Sequence, residues 1–473
     1  MVQYTRFPNG ERPGPLSRDT PPKFSLSEQG SAELSALDTS KAQDRRPQHV
    51  ASTTTKSSPQ AKAGSLALLT IFLVSLVIPL RFFAGPLLLT PYRLFLLVMI
   101  IPLFFKWITG RAGKIYGTDF MFIGFVIWVA VALFAVHGTE QFEWIAITTV
   151  ETLGAFLVGR VLVRTPQDFD RLLKFMWICM FTFLPAAILE ANTGIRIFSS
   201  VADLIAQTSD WVYDGPNYVK RLGMYRAQLV FEHPILAGLF ASAGFGFLYY
   251  TNRPDGKGIY GYQRAWVAVA VTFFSLSSGA FLALIVLMGM AFWDKIMKRV
   301  RHHWKVLLAL ITLAYVTVDL ISNRTPFEVF ISYGTFSAHN GYMRIHVFVY
   351  GMENVWAHPI IGLGMNDWAR PDWLYTTSVD NFWLLIAMRH GIPGFILVLG
   401  AYLATILRLS SLKLDSSYVR NQRTGLVLVL VGLVFALMTV HIWGIVYIFV
   451  LFLLGAGSWM RDFAHNESQK RRL

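Results

Sequence analysis

The amino-acid sequence predicts an all-α polytopic membrane protein of about twelve transmembrane helices, with a large periplasmic loop between the ninth and tenth. Three observations carry that expectation. Of 473 residues, 54% are hydrophobic and only 15% charged, far more apolar than a soluble domain. Several runs approach or exceed the ~17–20 apolar residues that cross a hydrocarbon core, and they lack the period-two alternation of barrel strands. Basic residues recur in alternate loops, as they do where they set membrane orientation. The formal net charge of +14 is thereby accounted for without nucleic acid. The single cysteine, Cys179, excludes a disulfide within the chain and any Cys-based metal site.

Residues 1–62 hold seven prolines and no apolar period, and read as a disordered basic cytoplasmic tail. No apolar stretch follows the N-terminus closely, so no cleaved signal peptide is expected. Spans are expected at about 64–80, 92–108, 119–137, 145–163, 172–190, 227–250, 265–277, 280–293, 305–321, 381–407, 424–441 and 443–460. The seventh is short and joins the eighth through the turn Ser275–Ala280; the tenth is interrupted from Arg389 to Gly394. Loops bearing Arg111 and Lys114, Arg164 to Lys174, Arg253 to Arg264, Lys295 to Lys305 and Arg408 to Arg423 alternate with neutral or acidic ones. Both termini are therefore expected in the cytoplasm, with 322–380 and 191–226 on the opposite face and 461–473 as a cytoplasmic tail. Within Glu151 and Arg160 of span four, nine residues apart, the side chains project about 180° from one another, so they are not a ready pair; Arg160 is expected to snorkel at the cytoplasmic interface.

The loop between spans nine and ten contains, from Tyr342 to Trp356, apolar residues at helical spacing with Arg344 and Glu353 among them. This predicts an amphipathic helix on the membrane face, with Arg344 either functional or only snorkelling. Asp380, immediately before an apolar run, suits a general base or a helix N-cap, and the two roles are compatible. His233, His339 and His358 are alternative bases, although His-Pro pairs at span ends usually make turns. No metal-binding or nucleotide-binding motif appears, and no metal site or cofactor is expected.

The order Gly341-Tyr-Met-Arg344, Ala357-His-Pro-Ile-Ile-Gly-Leu-Gly364 and Val379-Asp-Asn381 through Arg389-His-Gly-Ile-Pro-Gly394 resembles the O-antigen ligase and polymerase superfamily, which includes Wzy-type and exopolysaccharide polymerases. Ala187 to Gly194, Arg221 to Arg226 with Glu232 to Gly238, and Leu276 to Ala280 resemble its earlier motifs. The resemblance covers roughly residues 64–460. It implies transfer of a glycan from undecaprenyl diphosphate to an acceptor sugar hydroxyl at the periplasmic face, without nucleotide sugar or metal. Arg221, Arg226 and Arg344 match positions where the family keeps arginines, and Arg389 is a fourth candidate for the diphosphate. Asp380 stands where many ligases of the superfamily have His, and would serve with Arg344 and Glu190 in catalysis. Ser278 stands where the family commonly has Arg. A polymerase of repeat units is the expectation, in contact with the bilayer, donor and acceptor glycans and a chain-length regulator or export proteins. The alternatives are a ligase acting on lipid A-core and, in a different class, a polysaccharide transporter or flippase; no internal repeat supports the last.

Overall fold

The computed structural model describes residues 63–85, 87–206, 220–251, 262–300, 302–326, 328–329 and 338–471. The expected tail over 1–62 lies outside them. The order is α1 (Ala63–Val77), a hairpin of β1 (Phe82–Ala84) and β2 (Leu87–Leu89), α2 (Pro91–Ile108), α3 (Gly117–His137), α4 (Phe142–Leu162) and α5 (Pro166–Thr193). Then come α6 (Ile197–Ala206), α7 (Pro234–Thr251), α8 (Gln263–Phe274), α9 (Ser278–Ile296), α10 (His303–Ile321) and α11 (Ala338–Ala357). The chain continues as α12 (Phe382–Ser410), α13 (Ser417–Leu437), α14 (Gly444–Ala456) and α15 (Trp459–Lys470).

Among the described residues nine helical segments are long and apolar enough to cross a membrane, α14 and α15 counting as one, while α1 and α7 are shorter apolar helices. At 12 residues, α8 rises only about 18 Å and is too short to span alone. The protein is thus a multi-pass all-α membrane protein. Two boundaries move for local reasons. The fifth helix starts at Pro166 rather than near 172, because Thr165 and Asp168 form a reciprocal capping box ahead of the apolar run. The sixth span was expected from 227, but its helix starts at Pro234, since the backbone of 228–229 is held in irregular form by Glu190.

The core centres on α14, buried from Ile445 to Ala456 except at Tyr447. It lies directly on α4. A Cβ at Gly159 would fall 2.8 Å from the Ala456 nitrogen, and one at Gly455 2.8 Å from the Arg160 nitrogen, so glycine is what permits this approach of two backbones. One end of the helices is tied by polar contacts among the basic loops. Arg164 pairs with Asp462 at 2.6 Å, the Tyr116 hydroxyl donates to Asp462, and Gln422 donates to Asp170. Here Arg160 departs from the expectation of snorkelling. It is fully buried, pairs with Asp119 at 3.2 Å and donates to the carbonyls of Ala112 and Lys114. Its partner is not Glu151, which is paired with Arg93 at 2.6 Å.

Candidate active site

The opposite end is organised by a break in α12. Gly391 sits at φ 69°, ψ 178°, a region open essentially to glycine, and Pro393 follows without an N–H. A break inside a bilayer frees carbonyls that must find donors. Leu363 N donates to Met388 O at 2.7 Å, Gly364 N to Arg389 O at 3.0 Å, and the Trp128 indole to His390 O at 2.8 Å. Ile392 N in turn donates to Pro359 O at 2.8 Å. The segments 357–364 and 389–394 are therefore two halves of one joint, and His358 lies in the turn that delivers it. The helix starts on Asn381, whose Oδ1 accepts from Leu384 N at 3.1 Å. Asn381, not Asp380, is the N-cap, which leaves the Asp380 carboxylate half-exposed at the rim.

The expected amphipathic helix forms as α11. Its apolar stripe is seated on α12: Gly351 comes so close that a Cβ there would meet Leu384 Cδ2 at 2.7 Å, while Val347 and Val355 join a small core with Trp368, Leu374 and Met388. Asn354 fixes the loop beyond by bonding Ala369 through both its backbone N and O. Arg344 projects from this helix with its side chain 14% exposed. Its Nε lies 4.0 Å from Asp380, and its Nη1 is buried with no hydrogen-bond partner in the structure.

Facing it is the segment 220–233, threaded between the end of α5 and the α8–α9 turn. Tyr225 N bonds Ala191 O, and Ala227 N bonds Phe274 O. Glu190, 3% exposed, accepts from Gln228 N and Leu229 N at 3.0 Å each and lies 4.0 Å from Arg196. Arg221 and Met224 exchange backbone hydrogen bonds across Leu222 and Gly223, both with positive φ, the mark of a type I′ hairpin. Arg221 then donates to Leu276 O at 2.9 Å and Arg226 to Ser275 O at 3.4 Å, so both guanidiniums lie over the turn between α8 and α9. Among the described residues the non-glycine positions with positive φ are Leu222, Leu229 and Leu276, all on these two segments. Such conformations cost about 1–3 kcal/mol each and collect at functional sites.

The structure thus brings Arg221, Arg226, Arg344 and Asp380 together, with Glu190 beneath. Burial holds the guanidiniums of Arg226 and Arg344 below their ordinary range, Arg226 to about 10, and Arg221 adds to the effect on both; for Arg344, Asp380 opposes it. Burial and then Arg226, Arg221 and Arg196 push His233 down to about 4, so this imidazole is neutral near pH 7.

Arg389 lies elsewhere. It lines a cavity of about 400 Å³ that Arg221, Arg226 and Arg344 do not reach, together with Arg81, Arg93, Glu151, Glu232, His390, His441 and the rings of Trp144 and Trp443. Glu232 pairs with Arg81 at 3.5 Å. Trp443 of the cavity lining stands against His233, with ring centroids 6.0 Å apart. Sequence reasoning missed this second chamber: its members come from six separate stretches, and of them Arg389 alone was singled out as a binding candidate.

Residues 265–399 match the family model described as O-antigen ligase, a segment running from α8 through the break in α12 that includes Arg344, Asp380 and Arg389. No curated protein matches the chain. Among its many membrane helices the chain thus carries, over residues 265–399, a domain similar to the O-antigen ligase family.

Proposed function

We propose that this protein transfers glycan from undecaprenyl diphosphate to an acceptor sugar hydroxyl at the periplasmic face of the inner membrane, and that it does so as a polymerase of repeat units. The observation that carries the reading is Arg344. Its guanidinium is buried, one nitrogen has no partner, and the nearest carboxylate stands at 4.0 Å. Three guanidiniums gathered with one rim carboxylate leave a positive site that an anion from outside completes, and the guanidinium fork suits the oxygens of a diphosphate. The superfamily match supports the reaction class.

In this reading the acceptor hydroxyl oxygen attacks the anomeric carbon, the bond from that carbon to the diphosphate oxygen breaks, and undecaprenyl diphosphate leaves with the electron pair. Arg221, Arg226 and Arg344 hold the charge growing on the leaving group, as preorganised donors do in a water-poor site. Asp380 takes the hydroxyl proton, a contribution of about 10²–10⁴ in rate. Glu190, with both oxygens occupied by backbone amides, positions the arginine segment rather than touching substrate. No step needs a metal or a nucleotide sugar.

Arg344→Ala and Arg221→Ala are each expected to abolish polymer at normal protein levels; full synthesis by both variants would remove the site assignment. The lipid-linked glycans of a deletion strain separate the finer readings. Accumulated single repeats mark a polymerase, and long unligated chains mark a ligase. Asp380, where many ligases keep His, favours the first. Glycolipid flipping in liposomes without elongation would point to a flippase instead.

A further inference from the structure

The cavity lined by Arg389 and Trp443 contributes nothing to the chemistry above, yet it is built as a polar binding chamber. Three guanidiniums and two carboxylates line it. Arg93 is paired with Glu151 and Arg81 with Glu232, which leaves Arg389 with no carboxylate partner among the described residues. A cation held in an apolar wall without a counter-ion is costly and marks a place an anion occupies. Other polar atoms there are also unanswered. His390 Nδ1, His441 Nδ1 and Glu232 Oε2 are all buried without hydrogen-bond partners. The volume of about 400 Å³ lies in the range of small-molecule sites, and the lining mixes flat rings (Trp144, Trp443, Phe382) with carboxylates and imidazoles. Rings stack on the apolar face of a pyranose, while carboxylates and imidazoles exchange hydrogen bonds with its hydroxyls.

We infer that this cavity is a subsite for one carboxylate-bearing sugar of the glycan, with the Arg389 guanidinium gripping the sugar carboxylate and Trp144 or Trp443 stacking on the ring. The break in α12 makes the subsite. Arg389 and His390 end the first half of the helix, their carbonyls are taken by Gly364 N and the Trp128 indole, and the rigid joint holds both side chains at the chamber wall. The inference rests on the glycan-transfer reading and adds what that reading leaves open, a reason for the enzyme to accept one repeat unit over another.

Direct binding to the purified full-length protein in detergent tests it independently of turnover. In saturation-transfer NMR, D-glucuronate is expected to bind at least about tenfold more tightly than D-glucose, the effect of one charge-assisted pair. Arg389→Gln brings the two sugars within about twofold, whereas Arg344→Ala, at the diphosphate cluster, leaves the preference intact. Equal binding of both sugars by the unaltered protein would overturn the inference, as would a preference that survives in Arg389→Gln or disappears in Arg344→Ala. A second measurement needs no variant. A diazirine-bearing methyl glucuronide is expected to label peptides containing Trp144, Phe382–His390 or His441–Trp443, and labelling confined to 220–226 or 342–346 refutes the subsite. Comparing free acceptor repeat with undecaprenyl-linked donor as competitors of the label shows which glycan supplies the sugar. Failure of glucuronate binding leaves the arginine-cluster assignment standing, and loss of that assignment is read separately in polymer synthesis.

Discussion

The role assigned to Glu190 gives a graded prediction. Its two carboxylate oxygens each accept one backbone N–H at 3.0 Å, from Gln228 and Leu229, and Leu229 is held at φ 59°. Glu190→Gln preserves shape but turns one acceptor into a donor that faces an N–H. One hydrogen bond to a charged group, worth about 1.5–3 kcal/mol, is lost, and the stranded buried amide adds a penalty of about 1–3 kcal/mol. With partial relaxation the segment 225–229 is expected to lose about 2–4 kcal/mol, roughly thirtyfold to a thousandfold in local opening. Hydrogen exchange of the full-length protein should show that increase at the Gln228 and Leu229 amides, while the amides of α14 stay protected. Glycan transfer should fall at least about tenfold, because Arg221 and Arg226 ride on this segment and misplacement of binding groups is expensive. Unchanged exchange at Gln228 and Leu229 would refute the pinning argument. Lost activity with unchanged exchange would return Glu190 to a direct catalytic role.

Other consequences follow from the same geometry. Gly391→Ala forces a Cβ against the Ile360 carbonyl at a φ of 69°; it should cost more than about 3 kcal/mol and lower the melting temperature in detergent, whereas Gly289→Ala, with open space around it, should be neutral or slightly stabilising. Asp119→Asn leaves the fully buried Arg160 without its counter-charge and should cost about 3–5 kcal/mol, read as lower thermal stability with little change in transfer rate per folded molecule. His233 and His441 are both depressed to about 4, chiefly by burial and then by neighbouring arginines, so the unfolded chain binds more protons between pH 4 and about 6.5. Stability is then complete above about 6.5 and declines as pH falls towards 4; His441→Asn should flatten that decline in a pH series of melting curves.

Much of this was legible in the sequence where the signal is local and periodic. Long apolar runs placed the helices, and the Arg-His-Gly-Ile-Pro-Gly run announced the break in α12, since Gly and Pro cannot continue a helix unchanged. The lid-like helix was legible from its stripe, but not its seat on α12, which depends on Gly351 meeting Leu384. The choice between Asp380 and Asn381 as the cap was not legible either, because both suit an N-cap and only the start of the helical turn decides. Least visible was the arginine segment. Leu222, Leu229 and Leu276 adopt positive φ without any turn chemistry to advertise it, and residues 227–233 accordingly read as the start of the sixth span.

That failure bears on how the site is made. A leucine held at positive φ persists only when its surroundings outweigh the local cost, and here the surroundings are polar: Glu190 under Leu229, Arg221 and Met224 clasped across Leu222, and Arg221 donating to the carbonyl of Leu276. The guanidiniums and the strained backbone therefore hold each other, while Arg344 approaches from a different helix and keeps one nitrogen unanswered. A purely structural arginine cluster would be expected to finish its hydrogen bonds on its own carboxylates, as Arg160 does with Asp119 at the other end of the same molecule. The contrast between those two arginines, one complete and one left open beside a half-exposed Asp380, is the physical reason to place substrate at Arg344.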